Sequence, residues 1–181
     1  MSLRRRSVPA APPRCDPTAP IPLTVLGGYL GAGKTTLLNR LLADPRGRRL
    51  GVIVNDVGEI SVDAALVAES DGDTIGLTNG CVCCSLADGF LGALDRLREP
   101  ERGIDHIVVE VSGVGDPWKV AQWGRTPGFV LDTVVVLADA ETVVARAEDR
   151  WVGDTVRAQL AGADVVLATR LDLAEDPDRV I

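Results

Sequence analysis

The sequence predicts an α/β fold with a largely parallel sheet layered between helices. Three observations carry this. Short aliphatic runs alternate with helix-periodic segments along most of the 181 residues, the pattern of strands joined by crossover helices. The composition is 46% hydrophobic but only 3% aromatic. A core of that make-up must be built from Val, Leu, Ile and Ala, as buried parallel strands are. Finally, the first apolar run ends in a glycine-rich turn that leads straight into an amphipathic segment.

The elements follow in order. Arg4, Arg5 and Arg6 precede a stretch holding Pro9, Pro12, Pro13, Pro17, Pro20 and Pro22. A secretory signal needs an apolar segment after the arginines, and this one has none. Residues 1–22 therefore read as a disordered tail, with organelle targeting as the alternative. Residues 23–181 read as one domain. Leu23 to Leu26 is a strand ending at Gly27 and Gly28. Lys34 to Ala43 is a helix with Leu37, Leu38, Leu41 and Leu42 on one face, ended by Pro45 and Gly47. Leu50 to Val54 is a second strand. A polar segment follows, with a short helix around Ala64 to Val67 and a brief strand near Ile75 and Leu77. Leu86 to Arg98 is helical, with Leu91, Leu94 and Leu97 at helical spacing. Ile107 to Val111 and Val134 to Leu137 are strands. Thr142 to Leu160 is mostly helical, interrupted near Gly153, and Val165 to Ala168 is a last strand.

Charge and composition exclude some functions. A net charge of -7 argues against nonspecific nucleic-acid binding, which needs a basic field. No apolar run approaches the roughly 20 residues of a membrane helix. Three of the four cysteines crowd together at Cys81, Cys83 and Cys84. Neighbours this close cannot form a spaced disulfide framework, so a reducing, cytoplasmic compartment is expected.

Gly28-Tyr29-Leu30-Gly31-Ala32-Gly33-Lys34-Thr35 fits G-x-x-x-x-G-K-[ST], the P-loop of nucleoside triphosphate binding. Gly28, Gly31 and Gly33 permit the backbone to approach phosphate oxygens with its N–H groups. The helix that follows points its positive end at the same anion. Lys34 would neutralise the outer phosphates, and the Thr35 hydroxyl would be a ligand of Mg2+. Glu110 ends a strand and is followed by Ser112, Gly113 and Gly115. A carboxylate at the C-terminal edge of a parallel strand faces the ligand crevice and could hold a magnesium-bound water. His106, the one histidine, is expected to be a surface or packing residue, and Trp118, Trp123 and Trp151 to pack over loops.

Cys81 and Cys83 share one side of an extended segment. Cys84 joins them only if the chain turns. Thiolates suit zinc, cobalt or copper(I). Buried thiols and a redox couple are the rival readings, the latter weakened by a spacing that departs from C-x-x-C.

Taken together, these pieces resemble the metal-handling branch of the P-loop GTPases, and within it the CobW-like metallochaperones. The matching stretches are Gly27 to Asn39, which includes Ala32 and Thr36, then Val54-Asn55-Asp56-Val57-Gly58-Glu59, Asn79 to Ser85 and Glu110 to Pro117. The resemblance implies the P-loop NTPase three-layer sandwich. It implies a GTPase that couples GTP binding and hydrolysis, with Mg2+, to transfer of zinc or cobalt (Zn2+ or Co2+). Cys81, Cys83 and Cys84 would be the thiol motif, with Glu59 from a switch region. Asp56 would sit in the segment that responds to the terminal phosphate. Thr169-Arg170-Leu171-Asp172 stands where the family has Asn-Lys-x-Asp. Asp172 can accept from the guanine N1–H and amino group, and adenine offers no such pair. The Arg170 stem and guanidinium could lie over the base, while Thr169 lacks the family's amide, which would bond both base and loop. The family normally continues with a further strand and helix and a smaller second domain, and neither is expected within these 181 residues. A client metalloprotein or metal-cofactor pathway enzyme is the implied partner, with a homodimer left open. A noncatalytic metal-binding module and a small-molecule P-loop kinase are the alternatives.

Overall fold

The computed structural model describes residues 19–55, 74–77 and 87–174. Six strands form one sheet: β1 (Ile21–Gly28), β2 (Leu50–Asn55), β3 (Thr74–Leu77), β4 (His106–Glu110), β5 (Phe129–Asp139) and β6 (Val165–Thr169). Their order is β3-β2-β4-β1-β5-β6, and every neighbouring pair is parallel. Helices α1 (Lys34–Ala43), α2 (Ala87–Leu97), α3 (Pro117–Ala121), α4 (Val143–Glu148) and α5 (Gly153–Ala161) make the crossovers. The helix expected around Ala64 to Val67 lies outside the described residues.

Alternation along the strands divides the core between two faces. Ile21, Leu23 and Val25 of β1 join Ile107 and Val109 of β4 and Val134 and Val136 of β5 on one face. Phe90, Leu94 and Leu97 of α2, Val120 of α3 and Leu160 of α5 cover them. On the other face, Leu26, Val52, Val54, Val108 and Leu137 pack under Leu38 of α1, with Leu37 and Leu42 beside it. The expected leucine face of α1 holds except at Leu41, which is exposed. The result is the expected three-layer arrangement.

β1 begins at Ile21, earlier than the expected Leu23, and so takes Pro22 into a central strand. Proline cannot donate to a ladder. Ile21 N donates to Gly128 O on the β5 side (2.9 Å), so the Pro22 nitrogen faces β4. Pairing with β4 starts only at Leu23↔Ile107, and no ladder bond is lost. α3 is an element the apolar pattern does not announce. Its start is set locally: Asp116 caps it by accepting from Trp118 N (2.9 Å), and Pro117 occupies the first turn. β6 pairs with β5, and its Val165, Val166 and Leu167 are about half-exposed.

Candidate phosphate and base site

The C-terminal ends of β1, β4, β5 and β6 converge on the turn between β1 and α1. Gly33 is left-handed (φ 95) and immediately precedes α1, a conformation that a side chain would strain. Because α1 starts at Lys34, its unpaired first-turn N–H groups face this turn.

The carbonyl edge of the turn is held from behind by side chains. Lys34 Nζ, buried under the loop, donates to Gly28 O (2.8 Å) and Tyr29 O (3.4 Å). Arg146 of α4 donates to Leu30 O (2.6 Å) and lies over the Tyr29 ring, 5.1 Å from its centroid. Arg170 donates to Gly31 O (2.9 Å), and Thr169 Oγ1 donates to Ala32 O (3.0 Å). Carbonyls at all five positions from Gly28 to Ala32 thus accept from a side chain. Within the loop Ala32 N donates to Tyr29 O (3.1 Å), and fixing the carbonyl edge leaves the remaining N–H groups for an anion, as phosphate binding by a nest requires.

At the end of β4, Glu110 is 6% exposed. Its Oε1 accepts from Thr35 Oγ1 at 3.2 Å. A carboxylate and a hydroxyl, both hard oxygen donors beside a phosphate loop, fit Mg2+ in chemistry. The two expected partners are therefore brought together. The turn after β4 closes the same side. A Cβ on Gly113 would lie 2.6 Å from Leu30 N and 2.5 Å from Leu30 Cδ2, so only glycine lets the two loops touch.

On the other side of β1, Thr169 keeps the loop contact that its missing amide was expected to forfeit. Arg170 has its guanidinium engaged. It donates to Asp139 Oδ2 (2.7 Å) at the end of β5 as well as to Gly31 O, and its backbone is left-handed (φ 54). Only the stem remains to lie over a base. Asp172 follows in an exposed 3-10 turn, Leu171–Leu173. Thr36 is exposed in the first turn of α1.

Asp56, Glu59, Cys81, Cys83 and Cys84 lie outside the described residues. Among the described residues no group of three or more His, Cys, Asp or Glu side chains could hold a metal ion. His106 starts β4, at the opposite end of that strand from Glu110. Its Nε2 is 2.8 Å from Thr24 Oγ1, which donates to Asp132 Oδ2 (3.3 Å). Burial lowers its pKa below the usual 6.5, with Asp132 opposing and Arg48 assisting. Trp123 packs on Phe90 of helix α2 (ring centroids 5.7 Å apart) rather than over a loop. Trp151 does not pack over a loop: it is 77% exposed, with Arg150 stacked 4.5 Å from its centroid.

Arg146, Asp139 and Gln159 are site-supporting residues that the sequence does not single out. Gln159 is 4% exposed and donates to Gly113 O (3.1 Å) and Gly115 O (2.7 Å). Its signal is a polar residue three positions after Val156, on the buried side of α5. Asp139 repeats the signal of Glu110, an acid closing an apolar strand. Arg146 gives none.

Comparison with known proteins extends these findings. The family model described as "CobW/HypB/UreG, nucleotide-binding domain" matches residues 22–180. The zinc chaperone YjiA of Escherichia coli (strain K12) is 36% identical over 171 residues, covering 89% of this chain and 52% of that protein. The zinc-regulated GTPase metalloprotein activator 1 of Schizosaccharomyces pombe (strain 972 / ATCC 24843) is 31% identical over 165 residues, covering 85% of this chain and 40% of that protein. The chain thus spans about half the length, or less, of these relatives. In fold it resembles the signal recognition particle 54 kDa protein of Aeropyrum pernix K1, solved with GDP. That likeness has a TM-score of 0.57 at 20% identity, over 89% of this chain and 38% of the other.

Proposed function

The chain belongs to the CobW/HypB/UreG nucleotide-binding domain family, and on that footing we propose that it binds and hydrolyses GTP with Mg2+ and couples nucleotide state to transfer of zinc or cobalt. The observation that carries the nucleotide half is the Thr35–Glu110 pair beside a buried Lys34, at the mouth of a loop whose carbonyls are held back. The thiol motif Cys81, Cys83 and Cys84, with Glu59, supports the metal half, as do the zinc chaperone and zinc-regulated GTPase among the relatives.

In this reading the loop N–H groups and Lys34 hold the phosphates and stabilise charge on the terminal phosphoryl group as it transfers. Water forms the new bond to the terminal phosphorus, the bond to the bridging oxygen breaks, and GDP, inorganic phosphate and a proton leave. Mg2+, when bound, supplies a positive charge beside the phosphate oxygens. Thr35 and Glu110 are the residues that would hold it, directly and through water, and Asp56 would help to organise that water. Asp172 reads guanine, and the Arg170 stem covers the base. Gln159 does not position water, because its amide is committed to two carbonyls. Intrinsic turnover should therefore be slow and accelerated by a client or by dimerisation. The client is a metalloprotein or an enzyme of a metal-cofactor pathway, and the thiols imply a reducing, cytoplasmic setting.

The test is a zinc titration with and without Mg2+ and a nonhydrolysable GTP analogue. Zinc affinity should change with nucleotide and vanish in Cys83→Ser. Nucleotide affinity should shift reciprocally with zinc. Lys34→Ala should abolish nucleotide binding. Equal zinc affinity in both nucleotide states would separate the two sites and reduce the chain to a noncatalytic metal-binding module.

A further inference from the structure

We infer that Gln159 is a positioning residue for the terminal phosphate of the nucleotide, acting through the turn after β4. The inference rests on the nucleotide reading above and adds a determinant of triphosphate-over-diphosphate preference.

The strand order gives the direction in which a nucleotide must lie. Around the loop it runs β4-β1-β5-β6. The base-side residues Thr169, Arg170 and Asp172 lie at the end of β6, and the phosphate loop follows β1. A nucleotide with its base over β6 and its inner phosphates in the loop therefore extends its last phosphate towards the end of β4. Glu110 and the turn that contains Gly113 stand there, and Gly113 touches Leu30 at the near end of the loop.

That turn is short of internal support. Within it, Gly115 N donates to Ser112 O (2.9 Å). Its other carbonyls of note, Gly113 O and Gly115 O, both accept from the one amide group of Gln159. Gln159 is 4% exposed and stands on α5, more than forty residues further along the chain. Burying a polar amide costs free energy unless it is hydrogen-bonded, and here both donors are used on the turn. Two consequences follow. The negative ends of two peptide groups point inward to Gln159, away from an arriving anion. And Gly113 is pressed against the phosphate loop from a rigid helix.

A structural role alone would weaken folding and all nucleotides alike. A positioning role falls on the terminal phosphate, because a diphosphate does not reach the turn. The experiment titrates the full chain, with Mg2+, against GDP and against a nonhydrolysable GTP analogue. Wild type is compared with Gln159→Leu, which keeps bulk and removes both donors. Gln159→Glu is the second variant, placing acceptors against two carbonyls. The expected result is GDP affinity within about twofold of wild type and analogue affinity lowered about tenfold in the leucine variant, as for loss of paired hydrogen bonds. The glutamate variant should lose at least as much. An unchanged ratio of the two affinities in both variants overturns the inference, whether both nucleotides weaken together or neither does. Failure of wild type to bind either nucleotide overturns the underlying nucleotide reading instead, and is distinguished by that.

Discussion

Replacing Gly113 with alanine adds one methyl group at the point where the turn after β4 meets the phosphate loop. The new Cβ would lie 2.5 Å from Leu30 Cδ2, 2.7 Å from Leu30 Cγ and 2.6 Å from Leu30 N. The leucine side chain can rotate away, but the backbone nitrogen cannot. Restoring an ordinary separation of about 3.5 Å requires the two loops to part by about 1 Å. A displacement of about that size between reacting groups can cost on the order of a hundredfold in rate. Gly113→Ala should therefore slow single-turnover GTP hydrolysis by roughly ten- to a hundredfold. GDP affinity should stay near wild type, because the inner phosphates are held by the loop and Lys34. The assay is hydrolysis of trace labelled GTP by excess protein, with a parallel GDP titration. Wild-type hydrolysis by a folded Gly113→Ala protein would refute the reasoning, showing that the contact does not set the geometry of the reaction.

Other outcomes follow from particular contacts. Gly92→Ala makes the same chemical change in α2, where a Cβ meets nothing within 4 Å. It should raise stability by roughly 0.5–1 kcal/mol, seen as a higher Tm, with hydrolysis unchanged. Thr169→Val keeps shape but removes the donor to Ala32 O, and should weaken GDP binding by about fivefold, equivalent to about 1 kcal/mol, by calorimetry. His106 has a folded pKa below its unfolded 6.5, so the unfolded chain takes up the proton first. Its contribution to stability is therefore complete above 6.5 and declines as pH falls through 6.5 towards the folded value. Tm measured from pH 7.5 to 5 should fall less steeply in His106→Gln. An identical slope would show that the Thr24–His106 pair does not titrate in this range.

The layers of the fold are legible because each is written locally. The leucines of α1, the aliphatic runs of β1 and β4, and the glycines of the loop depend on neighbours one to four residues away. The same holds for Lys34, Thr35 and Glu110, which sit at element ends that the apolar pattern already marks. The supports of the site are of another kind. Arg146 and Gln159 act on residues far away in sequence, and nothing within a turn or two of either one reports its partner. Arg170 could be placed near the base by resemblance, but not its tie to Asp139. That tie requires β5 and β6 to be side by side, and only tertiary pairing shows this. Trp151 misleads for a simpler reason. A large ring is usually covered, yet here its partner is a cation on the adjacent residue rather than a core.

The loop that would grip phosphate is made before the residues that restrain it. The bonds to Leu30 O, Ala32 O and Gly31 O span 116, 137 and 139 residues. On a ribosome adding about 5–20 residues per second, Arg170 emerges on the order of ten seconds after the glycines it steadies. During that interval the nascent chain carries a complete phosphate-loop motif with its carbonyl edge untethered. Nucleotide capture should therefore arise as an abrupt event near the end of β6, so that occupancy by guanine nucleotide marks a chain whose sheet has closed.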